Sequence, residues 1–227
     1  MKNILITGAG RGIGLETVKH FLANGHTVIA VSRNIKALQA IEDKNLTAIS
    51  LDLTSNDFSP IEAVLSKFKT LDVLINNAGL LINKSFSELT LSDWQAMFNI
   101  NVFGAAQLTQ YVLPYLKAAN KSHIVSISSM GGFQGSSKFS GLSAYSASKA
   151  ALSCWSECLA AELSEFGISS NCLSLGAVNT EMLQTAFPSY KAPLESHEMA
   201  QFIGDFSLTG NSFFNGQVVP VAMNNPG

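Results

Sequence analysis

Tyr145-Ser146-Ala147-Ser148-Lys149 sets a phenol and an ammonium four residues apart. On a helix that spacing puts both on one face, one turn from each other. A free tyrosine titrates at about 10, too high to shuttle protons at neutral pH, and a neighbouring cation stabilises the phenolate and lowers that value. The pair therefore reads as general acid/base equipment for an oxygen that gains or loses a proton. Alone the spacing is weak, because any long helix can carry it on a solvated face.

A second constellation lies near the N-terminus. Thr7-Gly8-Ala9-Gly10-Arg11-Gly12-Ile13-Gly14 directly follows a short apolar run and opens a helical pattern. A glycine-rich turn lets a pyrophosphate approach the backbone, and a helix N-terminus offers free N–H groups and partial positive charge. The dinucleotide fingerprint G-x-G-x-x-G does not fit, because Ile13 or Leu15 stands where its last glycine belongs; the spacing is Gly8-x-x-x-Gly12-x-Gly14. Such a turn can also be only a tight connection. Where NAD-binding folds place an acid on the ribose hydroxyls, at the end of the second apolar run, this chain has Ser32-Arg33. Arg33, with Arg11, can pair with a 2′-phosphate, so NADP(H) is expected in preference to NAD(H). The alternative is that both arginines are simply solvated.

These groups need a scaffold that brings them together. Branched apolar runs recur at Ile4 to Thr7, Thr27 to Val31, Leu46 to Leu51, Leu71 to Ile75, His123 to Ser128, Ile168 to Leu175 and Gln217 to Val221. Helix-length patterns separate the first six: Ile13 to Ala23, Ile35 to Glu42, Ile61 to Phe68, Leu91 to Ala119 and Ala144 to Phe166. Strands alternating with helices, joined by right-handed crossovers, give an α/β fold: a Rossmann-type, doubly wound parallel sheet of about seven strands with helices on both faces. Gly131 to Ser143 and Glu181 to His197 are the least regular stretches and are expected as loops. They follow late strands, at the sheet edge where ligands bind, so they are expected to set substrate specificity.

Composition narrows the classes. A chain of 227 residues suits one domain, 1–227, with no linker or repeat to divide it. The 14 Lys and Arg are scattered and net charge is −2, which leaves no electrostatic footprint for nucleic acid. No apolar run approaches the ~20 residues of a membrane span, and the N-terminus lacks a signal-peptide core, so a cytoplasmic location is expected. Charged residues make up only 13%, against roughly 25% in soluble domains, which leaves apolar surface for an oligomer. Cys154 and Cys158 fall one helical turn apart, as metal ligands can, but no His or acidic partner stands at ligand spacing near them. Cys154, Cys158 and Cys172 are therefore expected as buried thiols, His20, His26, His123 and His197 as structural or surface residues, and no metal is expected.

Taken in order, the glycine turn, Asn76-Asn77-Ala78-Gly79, Ile127-Ser128-Ser129-Met130-Gly131-Gly132 and Tyr145 to Lys149 resemble the short-chain dehydrogenase/reductase family over essentially the whole chain. The resemblance implies interconversion of a carbonyl and an alcohol by hydride transfer. Asn101, Ser129, Tyr145 and Lys149 would carry the chemistry. Ser129 would bind the substrate oxygen, and Lys149 would hold the nicotinamide ribose and lower the phenol pKa. Asn101 would reach the lysine through a water. The cofactor would be held by Gly8, Arg11, Gly12, Ile13, Gly14, Ser32, Arg33, Asp52, Leu53, Asn77, Ala78 and Gly79, then by Tyr145, Lys149, Gly176, Val178 and Thr180. Without the tyrosine and lysine, Asn101 would read as a satisfied core amide and Ser129 as a loop hydroxyl.

The chain also departs from the family. Its Ser129-to-Tyr145 spacing is longer than usual, which puts extra residues within Gln134 to Leu142. Leu175-Gly176 stands where Pro-Gly is common, and losing a fixed φ is expected to loosen that turn. Phe133, Phe139, Met182, Leu183 and Phe187 would line an apolar pocket or serve as ordinary packing. Long helices such as Ala144 to Phe166, with Trp155 and Leu159, are expected to pair copies into a homodimer or homotetramer. The alternative function is a catalytically silent, dinucleotide-binding regulator of the same fold.

Overall fold

In the computed structural model, which describes residues 1–55 and 57–223, strands and helices alternate along the chain. β1 (Asn3–Thr7) leads into α1 (Gly12–Ala23), β2 (Thr27–Ser32), α2 (Lys36–Gln39), β3 (Leu46–Ser50), α3 (Ser59–Phe68) and β4 (Val73–Asn76). α4 (Leu91–Phe98) and α5 (Ala105–Ala118) follow, joined by a π-helical stretch, Asn99–Gly104. Then come β5 (Ser122–Ser129), α6 (Ser143–Leu163), β6 (Ile168–Leu175), β7 (Val178–Asn179), α7 (Glu181–Ala186), β8 (Leu194–Glu195), α8 (Ser196–Thr209) and β9 (Val218–Val221).

The main sheet has the order β3-β2-β1-β4-β5-β6-β9 and is parallel throughout. The chain reverses its direction of winding between β1 and β4, which opens a crevice at the carboxyl ends of those strands. Both faces are buried, and the alternation of side chains sorts each strand between two cores. Ile4, Ile6, Val28 and Ala30 join Val18 and Phe21 of α1 and Ile203 of α8 on one face. Leu5, Ile29, Val31 and Leu74 meet Ile61 and Leu65 of α3 and Leu108 and Val112 of α5 on the other.

All seven expected strands form, β4 starting later than its apolar run, at Val73. Ile35 to Glu42 shortens to the single turn of α2. The expected helix Leu91 to Ala119 is continuous but widens into the π-helical stretch around Asn101. Two helices were not expected. α7 occupies the start of the anticipated loop, and α8 follows it with a capping box between Glu195 and Glu198. Met199, Ile203 and Phe206 repeat at helical spacing on its buried side. Cys154 and Cys158 also differ from expectation: both lie exposed on α6, and only Cys172 is buried.

Among the histidines, His123 is buried at the start of β5. Its Nδ1 lies 3.0 Å from the Ser207 carbonyl, and its Nε2 lies 2.9 Å from the Asn171 amide nitrogen. A neutral ring that donates from Nδ1 and accepts at Nε2 satisfies both contacts. Burial pushes its pKa down to about 4. The unfolded chain then binds the extra proton first, so this contribution to stability is complete above pH ~6.5 and is lost as pH falls towards about 4. Between pH 7 and 5 the loss is about 2 kcal/mol. Urea unfolding of His123→Asn at the two pH values should show a pH-dependent loss smaller by that amount; an unchanged loss would exclude the histidine as its source.

Candidate active site

The cofactor end of the cleft is built on Thr7, the last residue of β1. Its hydroxyl accepts from the backbone N–H groups of Asn77 (3.1 Å) and Ala78 (3.0 Å). The Asn77 side chain returns the contact, donating from Nδ2 to the carbonyls of Thr7 (2.9 Å) and Gly8 (3.2 Å). Gly8 has φ +65° and sits so close to Ala78 that a Cβ would lie 2.7 Å from the Ala78 Cα. Only glycine meets both demands. The turn is thereby held flat against the end of β4, and α1 starts beside it with no side chain capping its first turn. Its free N–H groups suit a phosphate-bearing ligand.

Every residue expected at the dinucleotide, from Gly8 to Thr180, borders one cleft of about 720 Å³. Asp52 is oriented at its far end by Thr54, whose backbone N–H (2.9 Å) and hydroxyl (2.8 Å) donate to its carboxylate. Those bonds, aided by Arg33, hold its pKa below the ordinary value. Arg33 is exposed on the same rim. The two arginines differ in their engagements. Arg11 reaches across the cleft mouth to Glu181 of α7, 2.8 Å away, whereas Arg33 forms no salt bridge among the described residues. The turn after β6 is tied rather than loosened: the Gly176 N–H donates to the Val221 carbonyl (2.9 Å), and β7 pairs with β8.

Tyr145, Lys149 and Ser129 line the same cleft. Lys149 is 3% exposed and donates to the Ile127 carbonyl at 2.8 Å. Burial pushes its pKa down to about 8. Burial likewise pushes the Tyr145 hydroxyl up to about 12, with the Ser129 hydroxyl acting in the opposite sense. This reverses the expectation of a phenol made acidic by its neighbour. The ammonium lies over the Tyr145 ring, 5.9 Å from its centroid, and its one hydrogen bond goes to a backbone carbonyl. Burial therefore favours a protonated phenol.

Asn101 lies behind these groups and does not border the cleft. Its Oδ1 accepts from the Leu80 N–H (2.7 Å), while Nδ2 donates to the Leu80 carbonyl (3.0 Å) and the Ser148 hydroxyl (2.8 Å). Ser148 in turn donates to the Tyr145 carbonyl at 2.7 Å. The side-chain amide is thus satisfied by protein groups, and it clamps the loop after Gly79 to the α6 turn that bears the tyrosine. A Cβ on Gly79 would lie 3.3 Å from Lys149 Nζ and 3.5 Å from Asn101 Oδ1, so both atoms crowd this one backbone position.

Beyond Tyr145, Phe139, Met182, Leu183 and Phe187 line the cleft, as do Leu81 and Tyr190, which sequence reasoning did not single out. Phe133 does not line it. Asn83 was also missed. Its Nδ2 donates to the Ala186 carbonyl at 2.8 Å, which joins the segment after β4 to α7. Gly141, at φ +83°, packs so tightly on Asn83 that a Cβ would meet Oδ1 at 2.0 Å. No regular element contains either residue, so periodicity could not have flagged them.

Comparison with known proteins agrees with this architecture. A family profile described as short chain dehydrogenase matches residues 2–191. Oxidoreductase BOA17 of Botryotinia fuckeliana is 34% identical over 209 residues, covering 89% of this chain and 74% of that protein. The 3-oxoacyl-[acyl-carrier-protein] reductase FabG of Thermotoga maritima is 31% identical, covering 97% and 96%. The structure of ElxO with NADP bound superposes with a TM-score of 0.85 at 28% identity, covering 98% of each chain. The structure of a Brucella melitensis 3-ketoacyl-(acyl-carrier-protein) reductase complexed with NADH, at 24% identity, shares the fold with a TM-score of 0.90, covering 99% and 98%. With a parallel seven-stranded sheet, a glycine turn on Asn77 and Ala78, and a family profile matched over residues 2–191, this chain belongs to the short-chain dehydrogenase/reductase family of oxidoreductases.

Proposed function

We propose that this chain is an NADP(H)-dependent oxidoreductase that interconverts a carbonyl and an alcohol, with Tyr145 as general acid in reduction and general base in oxidation. The observation that carries this reading is the shared cleft: Tyr145 and Lys149 line the same crevice as the open N-terminus of α1. A bound nicotinamide supplies or accepts the hydride. Ser129 holds the substrate oxygen, and Tyr145 delivers the proton that the oxygen takes up when a carbonyl is reduced. A phenol at about 12 keeps its proton at neutral pH, the state in which reduction begins. Lys149 anchors the ribose hydroxyls, which give its buried ammonium acceptors besides the Ile127 carbonyl. Asn101 acts as a positioning residue through Leu80 and Ser148.

Preference for the phosphorylated cofactor rests on Ser32-Arg33 at the end of β2, the position where NAD-binding folds place an acid, and on a guanidinium that forms no salt bridge among the described residues. The same reading includes one domain, 1–227, acting in the cytoplasm as a homodimer or homotetramer. Exposed Phe86, Leu91 and Phe103 supply apolar surface that a second copy would cover. The silent-regulator alternative gains nothing from a cleft that retains the serine, tyrosine and lysine.

Tyr145→Phe should lower kcat for carbonyl reduction by about 10²- to 10⁴-fold while leaving NADPH affinity within a few-fold. Retention of most activity would overturn the acid/base assignment. Arg33→Asp should weaken NADPH binding by about 10- to 100-fold and NADH binding far less, measured by fluorescence titration; equal losses would remove the 2′-phosphate role. Burial lowers the Lys149 pKa to about 8 and hydrogen bonds from ribose hydroxyls would raise it again, so kcat/KM for reduction should hold through neutral pH and fall at a pH above about 8. A profile flat to pH 10 would show that the ammonium charge is not needed.

A further inference from the structure

Beyond Tyr145 the cleft runs between the loop 133–142 and the segment 181–194. Leu81, Phe139, Leu142, Met182, Phe187 and Tyr190 turn towards it. Phe139 is 51% exposed and Tyr190 52%, so much of this apolar wall faces solvent until something covers it. The charged side chains on the cleft are Arg11, Arg33, Asp52, Lys149 and Glu181. Arg33 and Asp52 stand at the far, dinucleotide end, beyond the carboxyl ends of β2 and β3. Arg11 and Glu181 neutralise each other across the mouth, and Lys149 is bound to Ile127 beneath the tyrosine. Among the described residues no cation lines the cleft beyond Tyr145: Lys138, next to Phe139, donates to the Phe133 carbonyl and the Ser136 hydroxyl, and Lys191, next to Tyr190, lies outside the lining.

The walls are also fixed relative to each other. Asn83 bonds the Ala186 carbonyl at the end of α7, and the Lys84 N–H donates to the Gly141 carbonyl at 3.0 Å. Phe139, Gly141 and Leu142 all come from the stretch that makes the Ser129-to-Tyr145 spacing long. These residues thus build an apolar wall and dock it on the segment after β4 that also bonds α7.

Resting on the oxidoreductase reading above, we infer that the substrate is an uncharged ketone, aldehyde or alcohol whose reacting carbon bears an extended alkyl or aryl group, with no anionic group within the cleft. Such a group gains by covering the exposed rings, whereas a carboxylate among them would give up part of its hydration without gaining a partner.

The test is calorimetric binding of 2-alkanols with six to ten carbons, and of their ω-carboxylate counterparts, to NADP⁺-loaded protein, together with NADPH oxidation by the matching ketones. Each added methylene should tighten binding of the neutral alcohols by about fourfold. The carboxylates should bind at least tenfold more weakly. Phe139→Ala should flatten the chain-length dependence, and Phe139→Lys should recover carboxylate binding. Carboxylates that bind as well as the alcohols, or affinity independent of chain length, would overturn the substrate class while leaving the oxidoreductase reading to stand on NADPH oxidation. Chain-length-dependent binding without oxidation of NADPH by any ketone would instead remove the oxidoreductase reading and leave an apolar ligand site.

Discussion

A buried ammonium is the constraint around which this site is organised. Lys149 is almost wholly removed from water, and an unpaired charge in that position would cost several kcal/mol. The fold offers it the Ile127 carbonyl, buried near the end of β5, and keeps the opposing position at Gly79 free of a side chain. One acceptor does not replace a full hydration shell, and the amine responds by titrating at about 8. Tyr145 shifts from the same cause in the opposite direction, because burial disfavours charge whichever sign it has. The pair therefore rests with the phenol protonated, and any ligand that brings hydroxyl groups to the amine would stabilise its charge.

Holding the lysine there depends on α6 packing directly on β5 and β6 through small side chains. The strands present Ser126, Ser128, Ser170, Cys172 and Ser174 at buried positions, all small. The helix answers with Ser153 and Ser156, which contact Cys172 (3.4 Å) and Ser170 (3.0 Å). Ser128 and Ser153 both donate to the Lys149 carbonyl, which fixes the turn that carries the amine. Gly132 completes the approach, since a Cβ there would lie 2.6 Å from the Ala150 nitrogen. Larger strand residues would push α6 outward and carry Tyr145 and Lys149 away from the cleft.

Much of this was readable in the sequence, for specific reasons. The strands are buried on both faces, so continuous branched runs marked each of them, and the glycine turn and the Tyr145-to-Lys149 spacing are local patterns that survive folding unchanged. What escaped depends on partners distant in sequence. Asn83 matters only because Ala186 and Gly141 fold against it, and Arg11 turns to Glu181 for a reason visible only across the cleft. The direction of the Tyr145 shift was misread because a neighbouring cation was weighed without the burial that both groups share. α8 carried its own capping box and apolar spacing, and was hidden by its closeness to an irregular stretch.

The two halves of the cleft are consequently built by different physics. On the cofactor side, backbone groups do the positioning: Thr7, Asn77 and Gly8 are locked by hydrogen bonds and by contacts too close for any side chain, so little can change without losing the turn. On the substrate side, side chains from two connecting segments make the surface, and the sheet needs none of them. A residue can be exchanged on those segments without disturbing the strands, provided that Asn83 still joins them. The surface on the substrate side can therefore change without moving Tyr145 or Lys149, which the sheet and α6 position.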